Sequence, residues 1–308
     1  MPSRSLPVRS VLELSVPRNS TASLQLLQRL VGREAHRSYC CGLIDSIKVP
    51  GFLEKMSARY PAILRNARGR TYDRMRGRAA MHMIVCPPIG SDPRQPLPIL
   101  QWFLVSSPGD GGLCDAKSHD CGVAQDATSA SGHLTTADYV LVYGTKRQPR
   151  AVTDRRSGAQ RTIWRQTSTW TWRIRGEILA ELRAAIESCC RDLQFGAEPS
   201  DEGAGWGLLG LLASQRNRPL FAGVRNQVVD LYRFAAEEAW PPYRQSWLAA
   251  HPSLAREHGQ QAGRLPSISD LTKYRLPTMP QIRMYSVPPT TIRDLLQRAP
   301  SNVVATRP

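Results

Sequence analysis

The run Trp164-Arg165-Gln166-Thr167-Ser168-Thr169-Trp170-Thr171-Trp172-Arg173-Ile174-Arg175 alternates bulky apolar residues with arginine. At the two-residue period of a strand, Trp164, Trp170, Trp172 and Ile174 share one face. Arg165, Arg173 and Arg175 share the other. Such a segment belongs in a sheet with one face against a core and the other toward solvent or anions. Exposed, the three tryptophans would form a platform on which bases stack. Buried, they would fill space against the helix that opens at Gly176. The sequence favours burial, which leaves the arginine side as the functional one.

Working outward, a strand over 138–144 precedes this run. The basic turns Lys146-Arg147-Gln148-Pro149-Arg150 and Arg155-Arg156-Ser157-Gly158 lie between them. Two apolar runs, 79–86 and 97–105, flank a Pro- and Gly-rich turn at 87–93 and read as a pair of buried strands. Near the start, 11–16 alternates like a first strand. A helix through about Arg33 follows, capped by Ser20 or Thr21, with Leu24, Leu27, Leu30 and Val31 as its apolar stripe. A second helical stretch, 51–59, begins after Pro50. The helix from Gly176 runs to about Leu193, with Ile178, Leu182, Ala185 and Ile186 on one face.

These elements predict an α+β fold, a mostly antiparallel sheet with flanking helices over 11–195, preceded by a basic flexible start at 1–10. Residues 106–136 form a long Gly-, Ser- and Asp-rich loop. An acidic, turn-rich linker at 196–205 leads to a smaller helical region at 206–250. A Pro-rich extended tail, 251–308, carries a short helix near 290–297.

Composition gives the functional direction. The 308 residues carry a formal net charge of +16, and 36 arginines stand against five lysines. Guanidinium groups grip phosphate in forked pairs and stack on bases, so an arginine surplus with few acids fits nucleic acid. A GC-rich genome explains the Arg/Lys ratio equally well, but not the scarcity of acids. No apolar run is long enough to span a bilayer. Seven cysteines, two vicinal pairs among them, match reduced thiols in a cytoplasm better than a disulfide framework. The alternative reading of the basic, serine-containing start is an organellar transit peptide.

The densest basic segment holds Arg59, Arg65, Arg68, Arg70, Arg74, Arg76 and Arg78 against one acid, Asp73. If it is helical, Arg70 and Arg74 lie one turn apart. The residues from Arg65 to Arg78, together with Lys146, Arg147, Arg165, Arg173 and Arg175, are the expected phosphate contacts. Segment 208–215, the turn Arg216-Asn217-Arg218-Pro219 and the helix from Ala222 loosely fit a helix-turn-helix. Arg225, Asn226 and Gln227 would then stand where such helices read bases.

Catalytic signals are thin. Cys114, His119, Cys121 and His133 match no common zinc module in their spacing. His82, between Met81 and Met83, reads as a satisfied core histidine. Asp110, Asp115, Asp126 and Asp138 are the acids that would gather around Mg²⁺ in a nuclease. Tyr139 and Tyr143 share a strand face and suggest a tyrosine nucleophile, but no partner motif accompanies them. No phosphate-binding loop of the Walker type occurs. The expectation is a non-catalytic nucleic-acid-binding subunit or accessory factor, DNA or RNA undecided, without cofactor. A metal-dependent phosphodiester-processing enzyme and a scaffold that docks an acidic protein partner are the alternatives.

Overall fold

The computed structural model describes residues 10–89, 98–113, 123–153, 158, 160–192, 207–250 and 282–298. Within the two longest strands, the side chains at 145–150, 161, 164, 165 and 167 also lie outside the described set. The expected linker at 196–205 and most of the Pro-rich tail fall outside it as well. The fold is α+β, with a four-stranded antiparallel sheet flanked by helices. Contacts divide the chain into two compact units: 1–137 with 141–170 and 282–308, and 138–140 with 171–281.

In the first unit the sheet order is β2-β3-β1-β4, from β1 (Ser38–Asp45), β2 (Met81–Cys86), β3 (Ile99–Ser106) and β4 (Gln125–Asp126). The two apolar runs pair as expected, with Met81 opposite Ser106 and Cys86 opposite Gln101. Strand β1, which the sequence did not announce, pairs along the other side of β3 from Ser38↔Ser106 to Asp45↔Ile99. Alternate residues Met81, Met83 and Val85, with Leu100, Trp102 and Leu104, enter a core closed by α2 (Val49–Arg59) through Val49, Leu53 and Met56. Pro50 stands in the first turn of α2, where its missing N–H removes no helix bond. On the opposite face, Cys86 meets Ser23 of α1 (Ser20–Gly32). Asn19 caps α1, accepting from the Ala22 N–H at 2.8 Å, rather than Ser20 or Thr21.

The expected first strand is instead a 3-10 turn at Val11–Glu13, capped by Ser10. Only a single bridge, Ser15 to Thr291, remains of strand pairing there. Val11 and Val16 are buried even so, because the alternation reflected core contact rather than a ladder. The partner segment leads into α8 (Ile292–Arg298), whose start is a reciprocal cap. The Thr291 N–H donates to Asp294 Oδ2 at 2.8 Å, and the Asp294 N–H donates to Thr291 Oγ1 at 3.2 Å. Ile292 and Leu295 of α8 join the core of the first unit.

Strands β5 (Tyr139–Thr153) and β6 (Gln160–Ile174) form a separate two-stranded sheet. On β6, Trp170, Trp172 and Ile174 are buried and Arg173 is exposed, so the alternation does separate a dry face from a wet one. Among the described residues, Trp172 is the largest fully buried side chain. In the first unit, Trp170 packs on Tyr143 with ring centroids 5.3 Å apart, and its carbonyl accepts from Gln28 at 2.7 Å.

The second unit gathers α4 (Gly176–Arg191), α5 (Leu208–Ser214), α6 (Ala222–Phe234) and α7 (Arg244–Ala250), with the last residues of β6. A π turn, Ala235–Ala239, extends α6. Gly223 lies directly on β6: a β-carbon there would collide with the Trp172 carbonyl, and its N–H donates to Thr171 Oγ1 at 3.0 Å. Phe221 packs beside Trp172 at 6.5 Å. Among the described residues, no helix is long and apolar enough to cross a membrane.

Candidate functional site

The segment from Arg65 to Arg78 folds as α3 (Ala67–Met75), capped by Asn66, whose Oδ1 accepts from the Gly69 N–H at 2.8 Å. Gly69 therefore sits in the first turn, where it interrupts nothing. Beyond the helix, the Asp110 N–H donates to the Gly77 carbonyl at 2.9 Å and the Ala79 N–H donates to the Asp110 carbonyl at 3.0 Å. Gly109 makes this close crossing at φ 137°, where a side chain would meet the backbone of 77–79. Asp110 is thus tied to the end of α3 through its backbone.

Helical spacing sorts the arginines of α3 into two rows. Arg68, Tyr72 and Arg76 follow one another at four-residue intervals and are exposed. The Arg76 guanidinium lies 4.4 Å from the centre of the Tyr72 ring, which is 51% exposed. Asp73, the single acid of the segment, is buried and lies 3.6 Å from Arg65 Nε. Its charge is turned inward. Arg65, Arg68, Arg74, Arg76 and Arg78 remain exposed, and Arg70 is half-buried with its guanidinium donating to the Arg65 carbonyl.

The second row, Arg70 and Arg74, acts on a cluster that the sequence reading missed. After α1 the chain turns through Ala35 at φ 56°, a left-handed conformation uncommon for alanine. The turn delivers Glu34 and His36 just ahead of β1, and His82 comes from β2. The two imidazoles meet edge to face at 5.0 Å and 74°. His82 Nε2 lies 3.9 Å from Glu34 Oε2, while Glu34 Oε1 lies 3.2 Å from Arg29 Nε without hydrogen-bond alignment.

His36 is fully buried, and neither of its ring nitrogens has a hydrogen-bond partner; His82 Nε2 has none either. The Leu30 and Glu34 carbonyls lie close enough to favour the His36 cation, but neither meets hydrogen-bond geometry. Burial lowers the His36 pKa to about 4, against Glu34 and aided by Arg74. Burial lowers that of His82 to about 2, aided by Arg70, His36, Arg29 and Arg74. Both rings are neutral near pH 7. Burial also pulls the Arg70 guanidinium down, against Glu34 and Tyr285, and pushes the Tyr285 phenol up, against Arg29 and Arg70.

This overturns the reading of His82 as a satisfied core histidine. Its neighbours in β2 are apolar, but its ring reaches a polar cluster assembled from 46 residues away in sequence. Among the described residues, Glu34, His36 and His82 are the group able to offer three metal-ligand atoms, all within 4.8 Å of one another.

The other expected site residues scatter. Arg173 is exposed, whereas Arg175 is half-buried, precedes α4 and pairs with Glu177 at 3.3 Å. Arg225 is half-buried on α6. Gln227 cannot read bases from that helix, because it is buried and spent on Ile174. The side chains of Lys146, Arg147 and Arg165 lie outside the described residues, as do Cys114, His119, Cys121 and Asp115. The remaining acids do not converge. Asp126 accepts from Thr128, and Asp138 pairs with Arg218 at 3.1 Å in the other unit. Arg218 also donates to the Tyr139 hydroxyl at 3.3 Å, which buries that phenol in an ion-pair network. No protein-family model, no curated protein and no solved structure matches the chain.

Proposed function

We propose that this protein binds nucleic acid through the α3 surface of its first unit. The observation that carries the reading is the inward turn of Asp73. It leaves five exposed arginines on one short helix and its ends, beside a single exposed acid, Asp110, which bridges to Arg78 through the backbone. Cationic side chains so grouped release counterions when they meet a phosphate backbone. The exposed Tyr72 ring, already stacked by Arg76, adds a flat surface on which an unpaired base can lie. Phosphate contact by arginine serves DNA and RNA alike, so the reading does not choose between them.

The experiment is fluorescence anisotropy with single- and double-stranded DNA and RNA probes over a salt series, using wild type and the Arg68→Ala/Arg76→Ala variant. Each lost phosphate contact reduces the salt slope by about 0.7–0.9. A variant with the affinity and slope of wild type would remove α3 as the binding surface. No binding at low salt to any probe would remove the function.

A further inference from the structure

We propose that Glu34, His36 and His82 form a site for one divalent transition-metal ion of the zinc class, held by two imidazole nitrogens and one carboxylate oxygen. The inference stands apart from the nucleic-acid reading, since it concerns a buried cluster rather than an exposed surface.

The first argument is the unmet hydrogen bonding. His36 is fully buried and both of its nitrogens lack a partner, as does His82 Nε2. Buried polar groups are almost always satisfied, and one left unmade costs about 1–3 kcal/mol. Two such rings in edge contact point to a partner that accepts lone pairs. An imidazole nitrogen supplies such a lone pair to zinc and its neighbours.

The second argument is geometry. The three ligand atoms lie within 4.8 Å of one another, and His82 Nε2 is 3.9 Å from Glu34 Oε2. A tetrahedral ion with bonds of about 2.1 Å spaces its ligands about 3.4 Å apart. Glu34 is only half-buried and has room to turn toward such an ion. Its other oxygen faces Arg29 at 3.2 Å, an outer contact of the kind that orients a ligating carboxylate. Two imidazoles and one carboxylate suit zinc and its neighbours, whereas Mg²⁺ and Ca²⁺ take oxygen ligands.

The third argument concerns charge. Arg70, Arg29 and Arg74 are felt by His82, and Arg74 by His36, and all three would oppose a bare cation. Three protein ligands leave a fourth position open. An anionic oxygen there, such as one from a phosphate group, would face both the ion and these guanidiniums.

The test uses the full chain, stripped with a chelator, dialysed against Zn²⁺ or Mg²⁺ and analysed for bound metal. We expect one equivalent of zinc and no magnesium, with at least a tenfold loss of zinc affinity in His82→Ala and Glu34→Gln. X-ray absorption at the zinc edge of the wild type should show imidazole and oxygen ligands and no sulfur. That spectrum decides the matter even if the His36→Ala chain does not fold. Less than half an equivalent of zinc, a sulfur-containing shell, or unchanged binding in a His36→Ala/His82→Ala chain would overturn the site. No nucleic acid enters the assay, so its outcome is separate from that of the binding experiment.

Discussion

The side chain of Gln227 engages both backbone polar groups of Ile174: its Oε1 accepts from the Ile174 N–H at 2.7 Å, and its Nε2 donates to the Ile174 carbonyl at 3.0 Å. One amide on α6 thereby continues the work of a missing neighbouring strand at the end of β6. Replacing Gln227 by Leu strands a buried donor and a buried acceptor, which costs about 2–4 kcal/mol. Urea unfolding measures this, and an unchanged midpoint would show that water or another group satisfies Ile174.

Gly223 makes the closest approach of α6 to β6, where a β-carbon would collide with the Trp172 carbonyl and Arg173. Gly223→Ala normally favours a helix by about 1 kcal/mol. Here the helix must lift from the strand, and we expect a net loss of about 2 kcal/mol or more by thermal melting. Stabilisation by this substitution would contradict the packing.

Trp170→Ala and Trp172→Ala each remove a buried indole and should cost about 3–5 kcal/mol. Nucleic-acid affinity of the still-folded fraction should match wild type. Loss of binding by Trp170→Ala with unchanged melting would restore the stacking platform that burial argues against.

Cys86 gives a pH signature. Burial pushes its thiol up to about 12, slightly opposed by a hydrogen bond from Ser23. The folded state then keeps a proton that the unfolded chain loses near pH 9. Its stabilising effect is complete below about pH 9 and falls away as pH rises toward 12. Between pH 8 and pH 11, wild type should lose more stability in urea unfolding than Cys86→Ala. Equal losses would mean that Cys86 ionises as an ordinary thiol.

What the sequence made legible follows the strength of its periods. The two-residue alternation of 164–175 named the dry face of β6, because Trp170, Trp172 and Ile174 are bulky enough to be placed by burial alone. The basic segment was legible as a helix only conditionally, because Gly69 and Gly77 weaken the pattern; α3 stops short of Gly77 and takes Gly69 into its first turn. Strand β1 was not: Cys40-Cys41-Gly42 carries neither alternation nor a β-branched run, and its place comes from pairing with β3. The Glu34, His36 and His82 cluster was illegible for a different reason. Its members join across the α1–β1 turn and β2, a contact no local window contains. The nearest clue was Glu34-Ala35-His36 at the end of a helical stripe, two ligand types one residue apart.

The first unit takes up α8, whose Ile292 and Leu295 enter its core and whose preceding residues bond to 14–16. On the ribosome, α1 and the four-stranded sheet therefore emerge long before the piece that closes them. The chain from 171 to 281 must be made in the interval. Contacts that span so much of the sequence form slowly, and the nascent first unit waits with the turn at Val11 uncovered. A fragment ending at 250 would lack that closing helix, and should bind chaperones rather than persist as a folded protein.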